Sequence, residues 1–419
     1  MKRVRWIGLR PVQSPEARAL LALLFIPLST NAQIFSQRGY LELTGLLYPQ
    51  NALNDSSHAV AETLLRYEAL STPVPAFHFS LAIDLRADSH RETGRDFAIS
   101  YWDRERLRPA VSIRRMNGSY TRGKLNVVIG RQSIRWGKTD ILIPTDRFAP
   151  RDFLNVVDDE FLSVTAARLT YGGQSDTIDV IAAPRFTPSR VPLLNQRWAV
   201  IPPGIPIAEL KPDFPGGAQF GARWNHIGSA AEYSFSFYNG FDHLPLYRGQ
   251  IELAPLRVSV QRYYPQMRMV GADAAVPLPI VTLKAEAAYF MSAAPQSDEY
   301  ALYVIQLERQ TGEWSFVGGY AGQIITAHGP ALSFSPVRGL TRAFVAHAGY
   351  TIDTNRSLAF DTVIRQNGRG VYLKPEYTHA IGQHWRLTAG FALIRGNNND
   401  FLGQYHRNSH TILALRYSF

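Results

Sequence analysis

The sequence predicts an all-β chain folded as a transmembrane antiparallel up-and-down β-barrel of about eighteen strands, and three observations carry that expectation. Apolar and polar residues alternate with period 2 along one segment after another, as strands with a single greasy face require. Short and long connections alternate between those segments, the pattern of tight turns on one rim and long loops on the other. Apolar residues make up 46% of the chain, yet they never run for the roughly 17 to 25 residues that a membrane-crossing helix needs.

The first residues are the exception to the alternation. Lys2, Arg3, Arg5, Arg10 and Arg18 stand against one acid, Glu16, and the apolar run from Ala19 to Leu28 follows. Small residues at Thr30 and Ala32 then place a cleavage site between Ala32 and Gln33, so residues 1–32 read as a secretory signal peptide and 33–419 as a single outer-membrane barrel. The formal net charge of +10 includes that basic stretch, and the remainder carries about +6. The excess is spread along the chain, without the clustered Lys and Arg of a nucleic-acid footprint, so no nucleic-acid partner is expected. Cysteine is absent, which excludes disulfides and thiolate metal sites; no metal or other cofactor is expected.

The strands justify themselves in order. Phe77, Phe79, Leu81, Ile83 and Leu85 alternate with His78, Ser80, Ala82, Asp84 and Arg86, so one face is apolar and the other carries charge. The same reading holds for Tyr233, Phe235 and Phe237, for Leu283, Ala285, Ala287 and Tyr289, and for Trp385, Leu387, Ala389, Phe391 and Leu393. Eight short links, among them Arg122-Gly123, Thr311-Gly312 and Gly382-Gln383, separate nine outer links, the largest being 88–108, 135–161, 185–217, 241–265 and 326–337. Eighteen strands result, from Gly39–Tyr48 to Tyr405–Phe419, with sixteen as the alternative. Leu256 to Tyr263 also reads as a strand, but counting it would make the total odd, so it is assigned to an outer-loop hairpin or to an extension of the next strand.

Phe77, Tyr171, Trp224, Tyr233, Trp314, Tyr350 and Trp385 fall near short turns on the outward parity, as a girdle at the periplasmic membrane interface would. In the last strand Leu413, Leu415, Tyr417 and the terminal Phe419 share one face. That ending resembles the C-terminal strand that outer-membrane barrels present to their assembly machinery, which makes Leu415, Tyr417 and Phe419 the expected assembly signal. Gly130 to Asp140 (GRQSIRWGKTD), Ile143 to Phe153 and Leu283 to Phe290 resemble poorly characterised Gram-negative barrels of the porin superfamily. The resemblance implies an outer-membrane location, contact with outer-membrane lipid and assembly machinery, and passage of small hydrophilic solutes; it leaves a homo-oligomer open.

A cylinder of eighteen strands is wide enough to hold an aqueous channel, and Gln33 to Arg38 are too few for a plug domain ahead of the first strand. Constriction is therefore expected from 135–161, the third outer loop, where Lys138, Asp140, Asp146, Arg147, Arg151, Asp152, Asp158, Asp159 and Glu160 mix both signs, with a solvated surface loop as the alternative. General porins, which fold their third loop inward, supply that analogy. Strand parity places Arg66, Arg86, Arg114, Arg168, Arg223, Lys284, Glu286, Asp361, Arg365, Lys374, Glu376, Arg386 and Arg416 on the inner wall. On a lipid face each Arg or Lys near the midplane would cost roughly 2 to 4 kcal/mol. Acids match bases closely enough that the wall should pair charge.

Two rival readings share the barrel. An outer-membrane hydrolase would need a Ser-His pair, for which Ser409-His410, with His379, His384 and His406 nearby in sequence, is the weak candidate; no G-x-S-x-G elbow is present and no catalytic residue is assigned. An export or lipid/polysaccharide-transfer barrel working with a periplasmic partner would need a greasy interior, and the inward apolar positions Leu302, Val304 and Val317 are few.

Overall fold

The computed structural model describes residues 35–201, 206–253 and 256–419, so the signal peptide read in 1–32 lies outside the described residues. The chain pairs sequentially from Phe35 onward. The wall strands are β1 (Phe35–Leu47), β2 (Ala59–Val74), β3 (Phe77–Asp88), β4 (Val111–Arg122), β5 (Leu125–Gln132), β6 (Val164–Gly172), β7 (Asp176–Ala183), β8 (Gln219–Ile227) and β9 (Glu232–Phe241). They continue with β10 (Gln266–Pro277), β11 (Thr282–Ser292), β12 (Glu299–Thr311), β13 (Trp314–Ala327), β14 (Ala343–Asp353), β15 (Arg356–Arg365), β16 (Gly370–Ile381), β17 (Trp385–Gly396) and β18 (His410–Ser418).

Each strand is antiparallel to the next, and β18 closes on β1 with Leu415 opposite Leu43. Gly39 and Phe419 exchange backbone hydrogen bonds of 2.9 Å in both directions at that seam. Closure removes the unpaired edge that an open sheet would present. The eighteen-strand count is thus the observed one, and the alternative of sixteen falls away. Leu256–Tyr263 pairs with Leu246–Leu253 as a hairpin outside the cylinder, which settles the odd segment.

Two boundaries differ from the sequence expectation. The first strand begins at Phe35 and ends at Leu47, not Gly39 to Tyr48. The last begins at His410, not Tyr405: Gly403–Asn408 forms a 3-10 turn in which Tyr405 is buried against Trp198, ring centroids 5.5 Å apart. A long-range aromatic contact overrides the local alternation there.

Turn chemistry explains the tight rim. Gly123 and Gly312 sit at φ +58° and +55°, a left-handed conformation that glycine adopts without steric cost, in the two-residue links between β4 and β5 and between β12 and β13. At the other rim most links are long, with 366–369 between β15 and β16 a short exception, and the wall is uneven: β5 and β7 have 8 residues, whereas β2 has 16.

Leu41, Leu43, Phe235, Phe237, Ile305, Leu307, Leu413 and Leu415 are all exposed on the outside. Their neighbours of opposite parity, such as Asp84, Ser234, Asp273 and Glu286, are buried. Soluble monomers rarely expose a continuous apolar belt of this size. The molecule is inside out relative to a soluble sandwich, and its packed core lies within the cylinder.

Candidate functional site

The interior is built from the inward row of each strand. Register sets the charge partners first: Arg66 lies opposite Asp84, Glu42 opposite Arg416 and Asp361 opposite Lys374. Arg66 meets Asp84 at 2.6 Å, Arg168 meets Asp179 at 2.8 Å, Arg223 meets Asp273 at 3.0 Å and Arg416 meets Glu42 at 2.6 Å. Lys284 meets Glu308 at 2.6 Å, Arg365 meets Asp400 at 3.1 Å, Lys374 and Glu376 lie 3.7 Å apart, and His347 meets Asp361 at 2.6 Å. Arg386 lies opposite Arg416 and has no acid partner among the described residues.

At one register position two acids face each other, although Asp273 already has Arg223 beside it at 3.0 Å. Asp273 on β10 lies directly opposite Glu286 on β11, and like charges in that relation repel. The third outer segment, 133–163, resolves this. Its stretch 134–148 turns into the cylinder as a hairpin whose tip, Lys138 to Asp140, reaches the part of the wall near the short turns. The Lys138 ammonium pairs with Glu232, the first residue of β9, lies 3.7 Å from Asp273 and donates to Asn225 at 3.0 Å. Glu286 faces five donors of the hairpin: Lys138 N at 3.1 Å, Thr139 N at 3.3 Å, Thr145 N and Thr145 Oγ at 2.8 Å each, and Thr139 Oγ at 2.8 Å, whose one proton is shared with Leu142 O at 2.6 Å. Gln306 receives Asp140 N at 2.9 Å and donates to the Asp140 carboxylate at 2.6 Å, while Lys284 reaches the same carboxylate at 3.0 Å. A buried carboxylate satisfied on all sides by donors is a strong anchor.

Apolar packing completes the seat. Ile134, Trp136, Leu142 and Phe148 of the hairpin form one core with wall residues Ile181, Tyr238, Met269, Phe290, Leu302 and Val304. Trp136 also donates from Nε1 to Asp179 at 2.8 Å. At Gly221 a Cβ would stand 2.5 Å from the Phe148 ring and 2.6 Å from Trp136, so this wall position must lack a side chain for the hairpin to sit there. Leu302 and Val304 are covered by this core and line no greasy path.

The rest of the segment turns back toward β2, β3 and β4. Glu160 gathers Arg66 at 3.1 Å, Arg86 at 2.6 Å and Arg114. Burial pushes the Glu160 carboxyl up, but the three guanidiniums outweigh it and hold it well below the usual carboxylate range. Asp152 is buried between Arg108 and Arg190, at 3.0 Å from each. Asp146 pairs with Arg135, and burial nevertheless raises its carboxyl. Arg151 pairs with Asp159 at 2.9 Å, Arg147 stacks over the Phe290 ring at 5.1 Å, and Asp158 is exposed.

The fourth outer segment straps the mouth. Arg197 stacks on Tyr48 at 3.7 Å and donates to Ser57 O at 2.6 Å, and Trp198 joins Val156, Tyr372, Ile394 and Tyr405 in a second core. His410, flagged in sequence beside Ser409, is fully buried and tilted against Tyr48 at 5.0 Å. Ser409 Oγ is bound to the Ile394 backbone, and no hydrogen bond joins it to an imidazole among the described residues. His379 and His384 lie toward the short-turn end of β16 and β17, away from that serine, and His406 Nδ1 donates to Gly403 O at 2.8 Å.

His243, in the fifth outer segment, sits between two other outer segments, and its neutral ring has one N–H to donate to them. Its Nδ1 lies 2.6 Å from Thr187 O and its Nε2 lies 2.9 Å from Arg147 O. Burial, aided by the Arg147 guanidinium, outweighs both carbonyls and lowers the imidazole to about 4. A histidine that stays neutral in the folded chain but titrates near 6.5 when unfolded favours folding above pH 6.5, and that contribution is lost between about pH 6.5 and 4. Over that window the loop assembly should lose about 3 kcal/mol. Thermal unfolding of the wild type and His243→Gln across pH 7.5 to 4.5 measures it, and parallel curves would refute the assignment.

Parity in the sequence pointed to wall charges that meet acids in the structure, such as Arg66 with Asp84 and Arg223 with Asp273, and charge density pointed to the third loop. What it missed are neutral anchors: Thr139, Thr145, Gln306 and Trp136, along with Arg108 and Arg190 from flanking loops. A signal was present, since Ile134, Trp136, Leu142 and Phe148 are too apolar for a solvated loop.

On the outside, Phe77, Tyr171, Trp224, Tyr233, Trp314 and Trp385 are exposed and Tyr350 is half-buried, several in ring contact, such as Trp314 with Tyr350 at 4.6 Å and Trp385 with Tyr417 at 4.9 Å. A closed eighteen-stranded cylinder with a greasy outside, a charged inside and an outer loop tucked within is the architecture of a porin-type barrel. The chain is similar in fold to OccAB4 of Acinetobacter baumannii, with a TM-score of 0.52 and 10% identity over 92% of this chain and 99% of that one. It is likewise similar to OccK3 (OpdO) of Pseudomonas aeruginosa, at 0.51 and 10% over 92% and 96%. A BenF-like porin from Pseudomonas fluorescens Pf-5 matches at 0.52 and 9% over 92% and 98%. At such identities the likeness shows the fold. No family model matches the sequence, and no curated protein does.

Proposed function

We propose that the chain is a channel of the Gram-negative outer membrane through which small hydrophilic solutes or ions diffuse passively, narrowed by its third outer loop. The observation that carries this reading is the asymmetry of the interior. The hairpin is seated against β7 to β12, while the ion pairs of β14 to β18 and β1 remain open to water: the His347 and Asp361 side chains are 42% and 44% exposed, and Arg416 is 33% exposed beside Glu42. A water-accessible wall with both signs suits polar solutes and gives neither ion sign a ring of its own. The names of the fold relatives include a porin, which agrees with the reading.

In this reading Arg386, Lys374, Glu376 and Arg416 line the passage, the aromatic rings near the short turns meet the membrane interface, and Leu415, Tyr417 and Phe419 are recognised during barrel assembly. Outer-membrane lipid and the assembly machinery are the expected partners. Reconstitution of the chain in planar bilayers with salt gradients tests it: a steady ohmic conductance with weak ion preference is expected. A membrane that stays sealed at every voltage, with the barrel shown to be inserted, would overturn it.

A further inference from the structure

We propose that Arg104 and Arg185, side by side on the outer rim, bind a phosphate group of an anionic lipid in the outer leaflet. The proposal rests on the outer-membrane reading and goes beyond it by assigning a ligand to the outside of the wall. Arg104 Nε donates to Phe186 O at 2.8 Å, which brings its guanidinium next to the residue following Arg185. Each guanidinium lies over a ring: Arg185 over Trp102 at 4.2 Å, Arg104 over Phe214 at 5.1 Å. Neither has an acid partner among the described residues. Burial lowers the Arg104 guanidinium first, and the charge of Arg185 lowers it further, with no acid opposing.

Two cations held together without a counter-charge repel each other, and a shared oxyanion removes that repulsion through forked hydrogen bonds. No acid of these loops forms an ion pair with either guanidinium among the described residues, although Glu105, which accepts only from a neutral hydroxyl, keeps its charge. Glu105 accepts from Ser100 Oγ at 2.8 Å, Glu209 is shared by Arg106 at 3.0 Å and Arg262 at 2.7 Å, and Asp213 faces Arg248 at 3.5 Å.

Position selects a lipid as the source of the phosphate. Arg185 follows two residues after the end of β7, whose outward Ile178 and Val180 are exposed. Phe186 packs against Phe241 at 6.0 Å, at the outer end of the β9 row formed by Tyr233, Phe235 and Phe237. The pair therefore sits where the greasy belt gives way to polar surface, the level of lipid headgroups.

The test is native mass spectrometry of the full chain in detergent with a diphosphorylated glucosamine glycolipid, the same glycolipid without phosphate, or inorganic phosphate. The wild type should retain the diphosphorylated lipid, and both Arg185→Gln and the Arg104→Gln/Arg185→Gln pair should retain about ten-fold less. Arg185 is exposed, so its single variant keeps the test valid if the pair disturbs folding. Equal retention by the variants, equal retention of the phosphate-free lipid, or occupancy by inorganic phosphate with nothing added by the lipid would each overturn the proposal. Bilayer conductance of Arg185→Gln should match the wild type; a wild type that binds the lipid but never conducts would sink the channel reading and leave this one standing.

Discussion

Glu286→Gln is expected to free the inward hairpin, raising the single-channel conductance and lowering the thermal midpoint. The two carboxylate oxygens receive only donors: Thr145 N and Oγ on one, Lys138 N, Thr139 N and Thr139 Oγ on the other. A glutamine keeps one acceptor and turns a second donor toward hydrogens that already point at it. Whichever way the amide is flipped, at least one backbone N–H loses its partner, Thr145 N on one side or Lys138 N and Thr139 N on the other, at about 1–3 kcal/mol for each that is buried, while the threonine hydroxyls can rotate to accept from the amide. The Trp136 and Phe148 packing remains and sets an upper limit on how far the hairpin moves. Single-channel recording and a thermal melt of the variant are the measurements; unchanged conductance together with an unchanged midpoint would show that Glu286 does not hold the loop.

Glu160→Gln is expected to shift the channel toward anions. In the wild type one carboxylate faces Arg66, Arg86 and Arg114, and its removal leaves that stretch of wall with Asp84 as the remaining acid contact. The reversal potential in a potassium chloride gradient reads this directly, and no change from the wild type would exclude Glu160 from the conducting path. Each lost charged hydrogen bond costs about 1.5–3 kcal/mol when buried, less here because a third of the carboxylate side chain meets solvent. The pH dependence has a definite sign. With its folded value depressed, Glu160 contributes fully above the ordinary glutamate value of 4.5 and loses its contribution only as the pH falls through the much lower folded value. Selectivity of the wild type should therefore stay flat from neutral pH to about 5 at this position.

How much of this was legible follows from what each residue needs to know about its neighbours. Phe235 and Ser234 announce opposite faces because the pleat repeats every two residues, and no partner strand is needed to say so. Gly123 and Gly312 mark tight turns for an equally local reason. Tyr405 misled the strand boundary because its packing partner, Trp198, lies more than two hundred residues away. The constriction residues were chosen by charge, yet Asp158 is exposed while Thr139 and Thr145, neutral and unremarkable in sequence, hold the hairpin. Hydroxyls and backbone N–H groups acquire that role only when a carboxylate such as Glu286 is brought to them.

The sequence by itself determined the cylinder: the greasy and charged faces, the tight rim and the loop rim follow from period-2 alternation and turn chemistry, and the strand number follows as far as eighteen or sixteen. Only the tertiary structure decided which charges meet and which half of the interior the third loop occupies. The physical reason is register. Opposing Asp273 to Glu286 across two strands creates an acidic pair that no single segment contains, and the hairpin lies where its Lys138 joins Arg223 near Asp273 and its threonines satisfy Glu286.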